Sequence, residues 1–198
     1  MQHLQFLRNL KSVTFASSVN NIPSVRILDV MLVEGENLYF LTARGKPFYH
    51  QLKVNPVISI IGMDKKYKTV RVTGKIKPVG REWVDKMFDA NPMMNDLYPG
   101  EKRNILDGFC MSEGFGEMFD LGVTPLVREK FNFGANSQKH IGYSINNNCT
   151  QCGVCVDICP LQSIITGNKY TINSSSCLEC GLCFEHCPNN AVDKFLDF

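Results

Sequence analysis

Eight of the nine cysteines of this 198-residue chain lie in its last fifty residues. They form two runs with the spacing C-x2-C-x2-C-x3-C, and a proline follows the last cysteine of each run. Each cysteine of the second run lies 28 residues after its counterpart in the first, so the region is an internal duplication. Closely spaced thiolates of this kind indicate soft-metal ligation, and so short a region cannot bury much apolar surface.

The two runs resemble the motif of bacterial ferredoxins, in which the fourth cysteine of each run ligates the other cluster. The resemblance implies two 4Fe–4S clusters with crossed ligands. One set is Cys149, Cys152, Cys155 and Cys187, and the other is Cys177, Cys180, Cys183 and Cys159. Zinc is the alternative metal, but zinc sites usually combine paired C-x2-C halves. A third option is a pair of clusters that only stabilises the fold. We expect this region to be poorly folded without iron.

The sequence also predicts the local structure around the runs. Gly153 and Gly181 follow the second cysteine of each run, where they would let the backbone turn tightly and point N–H groups at sulfur. Each half is predicted to contain an extended segment before its run and a short helix after it: Tyr143–Ile145 and Leu161–Ile165 in the first half, Lys169–Ile172 and Asn189–Val192 in the second.

Composition narrows the class of protein. Hydrophobic residues make up 44% of the chain and charged residues 20%, which is typical of a soluble globular protein. A net charge of +2 is too small to indicate a nucleic-acid surface. The sequence shows no signal peptide and no apolar stretch of membrane-spanning length, so we expect a cytoplasmic protein without a membrane partner. Cys110 stands outside the runs and is interpreted as a buried or half-buried thiol.

Hydrophobic periodicity divides the chain into a domain over residues 1–133, a linker over 134–142 and the cysteine-rich domain over 143–198. The first domain is predicted to be mainly β with a few helices, as a barrel of about six strands. The predicted strands are 12–18, 24–33, 37–43, 57–63, 67–79 and one or two within 117–133, and the predicted helices are 3–10, 46–54, 81–90 and 101–109. The domain contains no G-x-G-x-x-G motif and no P-loop.

Five short motifs follow one another in the first domain: PSVR (23–26), LYFLT (38–42), RGK (44–46), LxxNP (52–56) and TVRVTG (69–74). In this order they resemble the FMN-binding split barrel of the pyridoxamine 5′-phosphate oxidase-like family, over about residues 1–130. A flavin suits a chain with clusters, because it exchanges single electrons with a cluster and electron pairs with a substrate.

The resemblance implies an FMN site. Its residues are Arg26, Ile27 and Leu28 at the isoalloxazine ring, Thr42, Arg44 and Lys46 at the phosphate, and Thr69 and Arg71 on a later strand. Two cations and a hydroxyl at a strand-to-helix junction suit a doubly charged phosphate. The family binds FMN at a dimer interface, so a homodimer is implied, with Trp83 or its neighbours in the second copy covering the ring.

The chain also departs from true pyridoxamine phosphate oxidases. Arg44-Gly45-Lys46 stands where they carry S-R-K, Thr69 stands where an amide is common, and the cysteine-rich domain replaces their substrate-binding C-terminal segment. We therefore expect a reductase of an unidentified small molecule, supplied by a redox protein partner. A non-enzymatic electron carrier and a redox sensor are the alternatives.

Overall fold

The computed structural model describes residues 2–124, 126–135 and 142–195. Two compact units form the chain. The N-terminal unit contains Met1–Met118 and Phe131–Ser137, and the C-terminal unit contains Phe119–Lys130 and Gln138–Phe198. Most of the predicted linker, residues 136–141, lies outside the described residues.

The N-terminal unit is built mainly from strands, with short helices between them. The elements are α1 (Gln2–Leu10), β1 (Ser12–Val19), β2 (Ile22–Asp29), β3 (Leu32–Glu34), β4 (Asn37–Ala43), α2 (Pro47–Val54), β5 (Val57–Met63), β6 (Lys68–Val79), α3 (Arg81–Asp89), α4 (Met94–Leu97), a 3-10 helix (Gly100–Ile105) and β7 (Leu106–Asp120) as far as Met118. Strand β8 (Val127–Phe133) belongs to this unit from Phe131 onward, and its residues up to Lys130 belong to the C-terminal unit. The prediction of a mainly β first domain with few helices is confirmed.

Two predictions about these elements were wrong. Segment 24–33 is not one strand, because the backbone changes partner at its end: the Val30 N–H donates to the carbonyl of Lys11, and the Met31 N–H donates to that of Tyr39. Segment 101–109 is not an α-helix either. A 3-10 helix ends at Ile105, and the apolar residues from Leu106 onward pair with β4 as the start of a 15-residue strand.

The sheet has eight strands rather than about six, in the order β2-β1-β5-β6-β7-β4-β3, with β8 paired to β7. Strands β1 and β4 are separated in this order by three others, so a flat sheet would hold them about 19 Å apart. Yet the ring centroids of Phe15 on β1 and Phe40 on β4 are 5.0 Å apart. The sheet therefore curves round its own core, as the predicted barrel requires.

Aromatic side chains fill that core. Phe40 also stacks on Phe109 of β7 and Phe48 of α2, with centroids 5.6 and 6.1 Å away. Alternation on β6 places Val70 and Val72 inside and leaves residues between them on the outer face. Helix α2 begins at Pro47, which has no N–H to leave unpaired in the first turn.

The C-terminal unit contains short elements around the cysteine runs: β9 (Gly142–Ile145), α5 (Val154–Ile158), β10 (Ile164–Ile165), β11 (Thr171–Ile172), α6 (Leu182–Glu185) and β12 (Val192–Phe195). Strand β9 pairs with β12, and β10 pairs with β11. The predicted extended segment Tyr143–Ile145 lies within β9, and only the last two residues of the predicted segment Lys169–Ile172 form β11.

The predicted helices after each Cys-Pro are wrong, because the helical turns lie inside the runs and strands follow them. Gly153 and Gly181 adopt left-handed backbone angles, with φ of +85° and +84°, and each starts a short helix. Cys159 is already extended, with φ −72° and ψ 116°, since the following proline disfavours helical backbone at the preceding residue.

None of the described residues belongs to a helix that is long and apolar enough to cross a lipid bilayer.

Candidate cofactor sites

Two cavities in the C-terminal unit are each lined by four cysteines. The first-run cavity is lined by Cys149, Cys152, Cys155 and Cys187. The second-run cavity is lined by Cys177, Cys180, Cys183 and Cys159. Folding therefore brings together the two crossed sets that the ferredoxin resemblance implied. Among the described residues, no three His, Cys, Asp or Glu side chains converge as they would on a single metal ion.

Backbone amides point at the cysteine sulfurs. The Ser163 N–H donates to Cys159 Sγ at 3.2 Å, and the Ala191 N–H donates to Cys187 Sγ at the same distance. These two donors occupy equivalent positions of the 28-residue repeat. Amide donors stabilise negative charge on sulfur, so the soft thiolate set and its surroundings fit an iron–sulfur cluster.

Burial raises the pKa of two cysteine thiols in the second-run cavity. Burial, followed by the negative charge of neighbouring Cys177, raises the pKa of Cys183 to about 11. Burial also raises the pKa of Cys177, although the positive charge of Arg128 acts in the opposite direction. Ligands must be deprotonated to bind metal, so the raised pKa values of Cys177 and Cys183 oppose metal binding until iron displaces the proton of each thiol.

A charged clamp adjoins the second-run cavity, and we define it as Arg128, Lys130 and Glu179. Arg128 donates through Nη1 to the carbonyl of Cys177 at 2.8 Å and through Nη2 to Glu179 Oε2 at 2.7 Å. Lys130 forms a second ion pair with Glu179. Sequence reasoning missed this clamp. The available signal was that Glu179 takes the place of neutral Gln151 in an otherwise repeated motif.

The residues implied for the FMN phosphate meet where β4 runs into α2. Thr42 is buried on β4, and its Oγ1 has no hydrogen-bond partner among the described residues. Arg44 follows the strand and pairs through Nη1 with Asp107 Oδ1 at 2.8 Å, while half of its side chain stays exposed. Lys46 is exposed at the N-cap of α2.

Asp107 was missed because it is distant in sequence, but it lies opposite Thr42 in the β4–β7 register. Its carboxylate also accepts a hydrogen bond from Tyr49, which raises the pKa of that phenol. Asp107 thus ties the strand end to the first turn of α2.

Arg26 lies on the inner side of β2, where it reaches α2. Its guanidinium donates to Ser17 Oγ at 2.8 Å and to Gln51 Oε1 at 2.7 Å, and its Cζ lies 4.1 Å from the centre of the Phe48 ring. Desolvation by burial lowers its pKa. Leu28 points to the same side and packs against the core. Gln51, which holds Arg26, was not predicted.

The remaining implied residues lie on the outer face of the sheet. Ile27 pairs with Thr14, which pairs with Ile61, which pairs with Arg71, so the four form one row across β2, β1, β5 and β6. Arg71 also reaches Glu117 Oε2 at 3.1 Å. Thr69 lies two residues away on the same face as Arg71. The implied FMN residues are thus divided between the two faces of the sheet.

In the same chain, Trp83 stacks on Tyr39 with centroids 4.4 Å apart. Cys110 is buried on β7, as predicted, and its Sγ lies 3.9 Å from Asn37 Oδ1.

Two family models match this chain. Residues 1–106 match the model of pyridoxamine 5′-phosphate oxidase, and residues 142–188 match that of the 4Fe-4S dicluster domain. The chain belongs to the pyridoxamine 5′-phosphate oxidase family. Its C-terminal region is a 4Fe–4S dicluster domain, as the cysteine runs predicted. No curated protein matches the chain.

Several solved structures share the fold of the N-terminal unit. A NimC/NimA family protein from Clostridium acetobutylicum is 23% identical, with a TM-score of 0.59, over 67% of this chain and 90% of that one. PhzG from Burkholderia lata, in complex with tetrahydrophenazine-1-carboxylic acid, is 12% identical, with a TM-score of 0.53, over 69% of this chain and 83% of that one. A Clostridium acetobutylicum protein related to general stress protein 26 is 16% identical, with a TM-score of 0.52, over 68% of this chain and 95% of that one.

Proposed function

We propose that this chain is a flavo-iron–sulfur oxidoreductase that passes electrons between two 4Fe–4S clusters and FMN and reduces a small acceptor. The observation that carries the proposal is the placement of all eight repeated cysteines around two cavities, in a chain whose other unit belongs to the pyridoxamine 5′-phosphate oxidase family. When bound, the clusters supply one-electron steps and FMN couples them to two-electron chemistry.

The cysteines that line each cavity are proposed as the ligands of one cluster. Each set takes three members from one run and the fourth from the other. This crossing ties the two halves of the repeat together whenever iron is bound. The backbone amides of Ser163 and Ala191 point at the sulfurs of the two crossing cysteines, Cys159 and Cys187.

The residues at the β4–α2 junction are proposed to hold the FMN phosphate. A buried hydroxyl without a partner costs about 1–3 kcal/mol, and a phosphate oxygen would satisfy Thr42 Oγ1. Arg44 keeps further N–H donors beyond the one that meets Asp107, since a guanidinium carries five. Lys46 adds a second cation at the N-cap of α2.

A homodimer is proposed because the outer face that carries Ile27 and Arg71 is apolar and exposed. Val25 and Ile27 are 66% and 67% exposed, and Ile61 and Met63 on β5 are 42% and 57% exposed. Exposed apolar side chains grouped on one sheet face are typical of an interaction surface. A second copy on this face would place Thr69 and Arg71 next to the FMN held by its partner, which unites the two groups of implied residues.

Anaerobic purification followed by cofactor extraction and iron analysis tests the cofactor content. We expect FMN and enough iron for two 4Fe–4S clusters per chain. A flavin-free protein that keeps its iron would refute the flavin part. Cys110→Ser is the matched control, because this cysteine lies outside both runs and its exchange should change neither cofactor.

A panel of nitro-compounds, quinones and free flavins tests the reductase activity. Protein reduced with dithionite, a one-electron donor, should reoxidise in the presence of at least one of these acceptors, with each acceptor taking two electrons and its protons from water. Reoxidation by protein partners alone would instead identify an electron carrier.

A further inference from the structure

A carboxylate lies inside the site proposed for the FMN phosphate. Asp107 on β7 is the cross-strand partner of Thr42 on β4, so the two side chains lie on the same face of the sheet, with their Cβ atoms about 5 Å apart. Thr42 Oγ1 is the buried hydroxyl that the proposed function assigns to a phosphate oxygen. A doubly charged phosphate at this hydroxyl would therefore bind beside a negative charge.

The same carboxylate holds the arginine of the site. Arg44 Nη1 lies 2.8 Å from Asp107 Oδ1, which is the length of a charge-assisted hydrogen bond. The backbone of Arg44 is fixed as well, because its N–H donates to the carbonyl of Ile105 at 3.0 Å. Asp107 thus occupies a donor of the cation on which the proposed phosphate site depends.

Tyr49 provides the carboxylate with a second partner. Its backbone N–H donates to the carbonyl of Lys46 at 3.0 Å, its ring lies 6.1 Å from that of Phe109, and its hydroxyl donates to Asp107. Asp107 would keep this hydrogen bond if the Arg44 side chain turned toward a phosphate. Arg44 can therefore exchange one anion for another without leaving a carboxylate that has no donor.

A carboxylate beside a phosphate-binding arginine has two opposing effects. It restrains a flexible side chain, but the Arg44 and Asp107 side chains are 49% and 33% exposed, and an ion pair so exposed contributes at most about fivefold to an equilibrium. It also repels the phosphate. Repulsion between a carboxylate and a neighbouring dianion lowers affinity about tenfold even at the dielectric constant of water, so repulsion is the larger effect.

We propose that Asp107 competes with the FMN phosphate for Arg44 and so determines how strongly the site prefers FMN over riboflavin, which has the same ring system and no phosphate. This inference rests on the FMN site of the proposed function. Binding replaces one ion pair of Arg44 with another, and no covalent bond forms or breaks. The phosphate then contributes less to flavin affinity than Arg44 and Lys46 would provide without Asp107, and bound FMN exchanges more readily with free flavin.

Calorimetric titration of the flavin-depleted, cluster-loaded full chain with FMN and with riboflavin tests the proposal. Asp107→Asn should raise the affinity for FMN about five- to tenfold and leave that for riboflavin unchanged. Asparagine keeps the size of the side chain and an oxygen that accepts hydrogen bonds from Arg44 and Tyr49, so the variant removes charge alone. Work at about pH 8 keeps the phosphate doubly charged.

Asp85→Asn is the matched control. Asp85 lies on α3 and also pairs with an arginine, since its Oδ1 is 3.3 Å from Arg103 Nη1. Its exchange removes the same charge from the same unit and should change neither affinity. An equal gain for FMN in this control would show that the total charge of the protein is responsible, and would overturn the proposal.

Unchanged or lower FMN affinity in Asp107→Asn, or an equal gain with riboflavin, would also overturn it. If this variant loses iron or solubility, Asp107→Ser tests the same gain. Arg44→Gln is measured first and should lower the affinity for FMN alone. Unchanged FMN affinity there refutes the proposed phosphate site, whereas an FMN site that depends on Arg44 and ignores Asp107→Asn refutes this inference alone.

Discussion

The two units of this chain are stabilised in different ways. The N-terminal unit encloses a cluster of nineteen buried apolar residues among those described, centred on Phe15, Phe40 and Phe109. The corresponding cluster in the C-terminal unit has three buried members, Ile145, Ile164 and Val192, with cysteine side chains packed around them. A large apolar core can stabilise a fold by itself, whereas three buried residues contribute little, so we expect bound iron to supply the remaining stability of the C-terminal unit.

Removal of iron should produce the largest difference between the units. Anaerobic chelation should abolish amide protection throughout residues 142–195, because the apolar cluster of the C-terminal unit has only three buried members among the described residues. Strands β1 to β6 should keep their protection. Hydrogen exchange followed by mass spectrometry measures both units in one sample. Persistent protection of residues 142–195 without iron would show that the C-terminal unit does not depend on iron for its stability.

Exchange of one crossing ligand should remove half of the iron. Cys159→Ser should cost the second-run cluster, because this cysteine lines the cavity formed mainly by the second run. The iron content of two double variants, each with a second cysteine replaced, shows which cluster Cys159→Ser removes. Adding Cys177→Ser should remove no further iron, whereas adding Cys149→Ser should remove nearly all of it. The reverse pattern would show that each run holds its own cluster, without crossing.

Loss of an aromatic ring from the first core should destabilise only the N-terminal unit. Phe40→Ala removes a fully buried ring that contacts Phe15, Phe48 and Phe109, and should lower the free energy of unfolding by about 3–5 kcal/mol. Iron content should not change. Tyr67→Ala is the control, since this side chain is 62% exposed and should alter stability by less than about 0.5 kcal/mol. Chemical denaturation followed by tryptophan fluorescence reports on this unit through Trp83.

Removal of a single hydroxyl should have the smallest effect, and it should change stability and FMN affinity in opposite directions. Thr42→Val removes a buried oxygen that has no partner among the described residues, so the flavin-free protein should gain up to about 1–3 kcal/mol of stability. The same change should weaken FMN binding, because the phosphate loses a donor. Thermal unfolding without flavin and a fluorescence titration with FMN measure the two effects. Unchanged FMN affinity would exclude Thr42 from the phosphate site.

Much of the fold was predictable because the signals were local. The alternation of Val70 and Val72 with polar neighbours defines β6, and Pro47 and Asn55-Pro56 bracket α2. The change of partner at Val30 and Met31 was not predictable, because it depends on where β1 and β4 lie in the sheet. The helical turns in the cysteine runs were misplaced because the left-handed glycines, rather than the prolines, determine where each turn begins.

The residues of the candidate sites also separate into those with a local sequence signal and those placed only by the tertiary structure. The sequence predicted the cysteines as metal ligands and the cationic pair Arg44 and Lys46 as phosphate-binding residues, and both remain predictions. It did not identify Asp107, which meets Arg44 from a strand 63 residues further along the chain. It also missed Gln51 as the anchor of Arg26. Such partners have no fixed spacing in the sequence, because hydrogen bonds across strands depend on sheet register.

By itself, the sequence determined that this protein carries a duplicated cysteine motif of the 4Fe–4S dicluster type, because metal coordination demands particular side chains at short, fixed spacings. It also determined the family of the first domain through an ordered series of motifs. Only the tertiary structure decided which charges lie beside which cavity. Arg128 and Lys130 precede the cysteine runs by many residues, yet they reach Glu179 and Cys177, and they give two similar cluster sites different electrostatic surroundings.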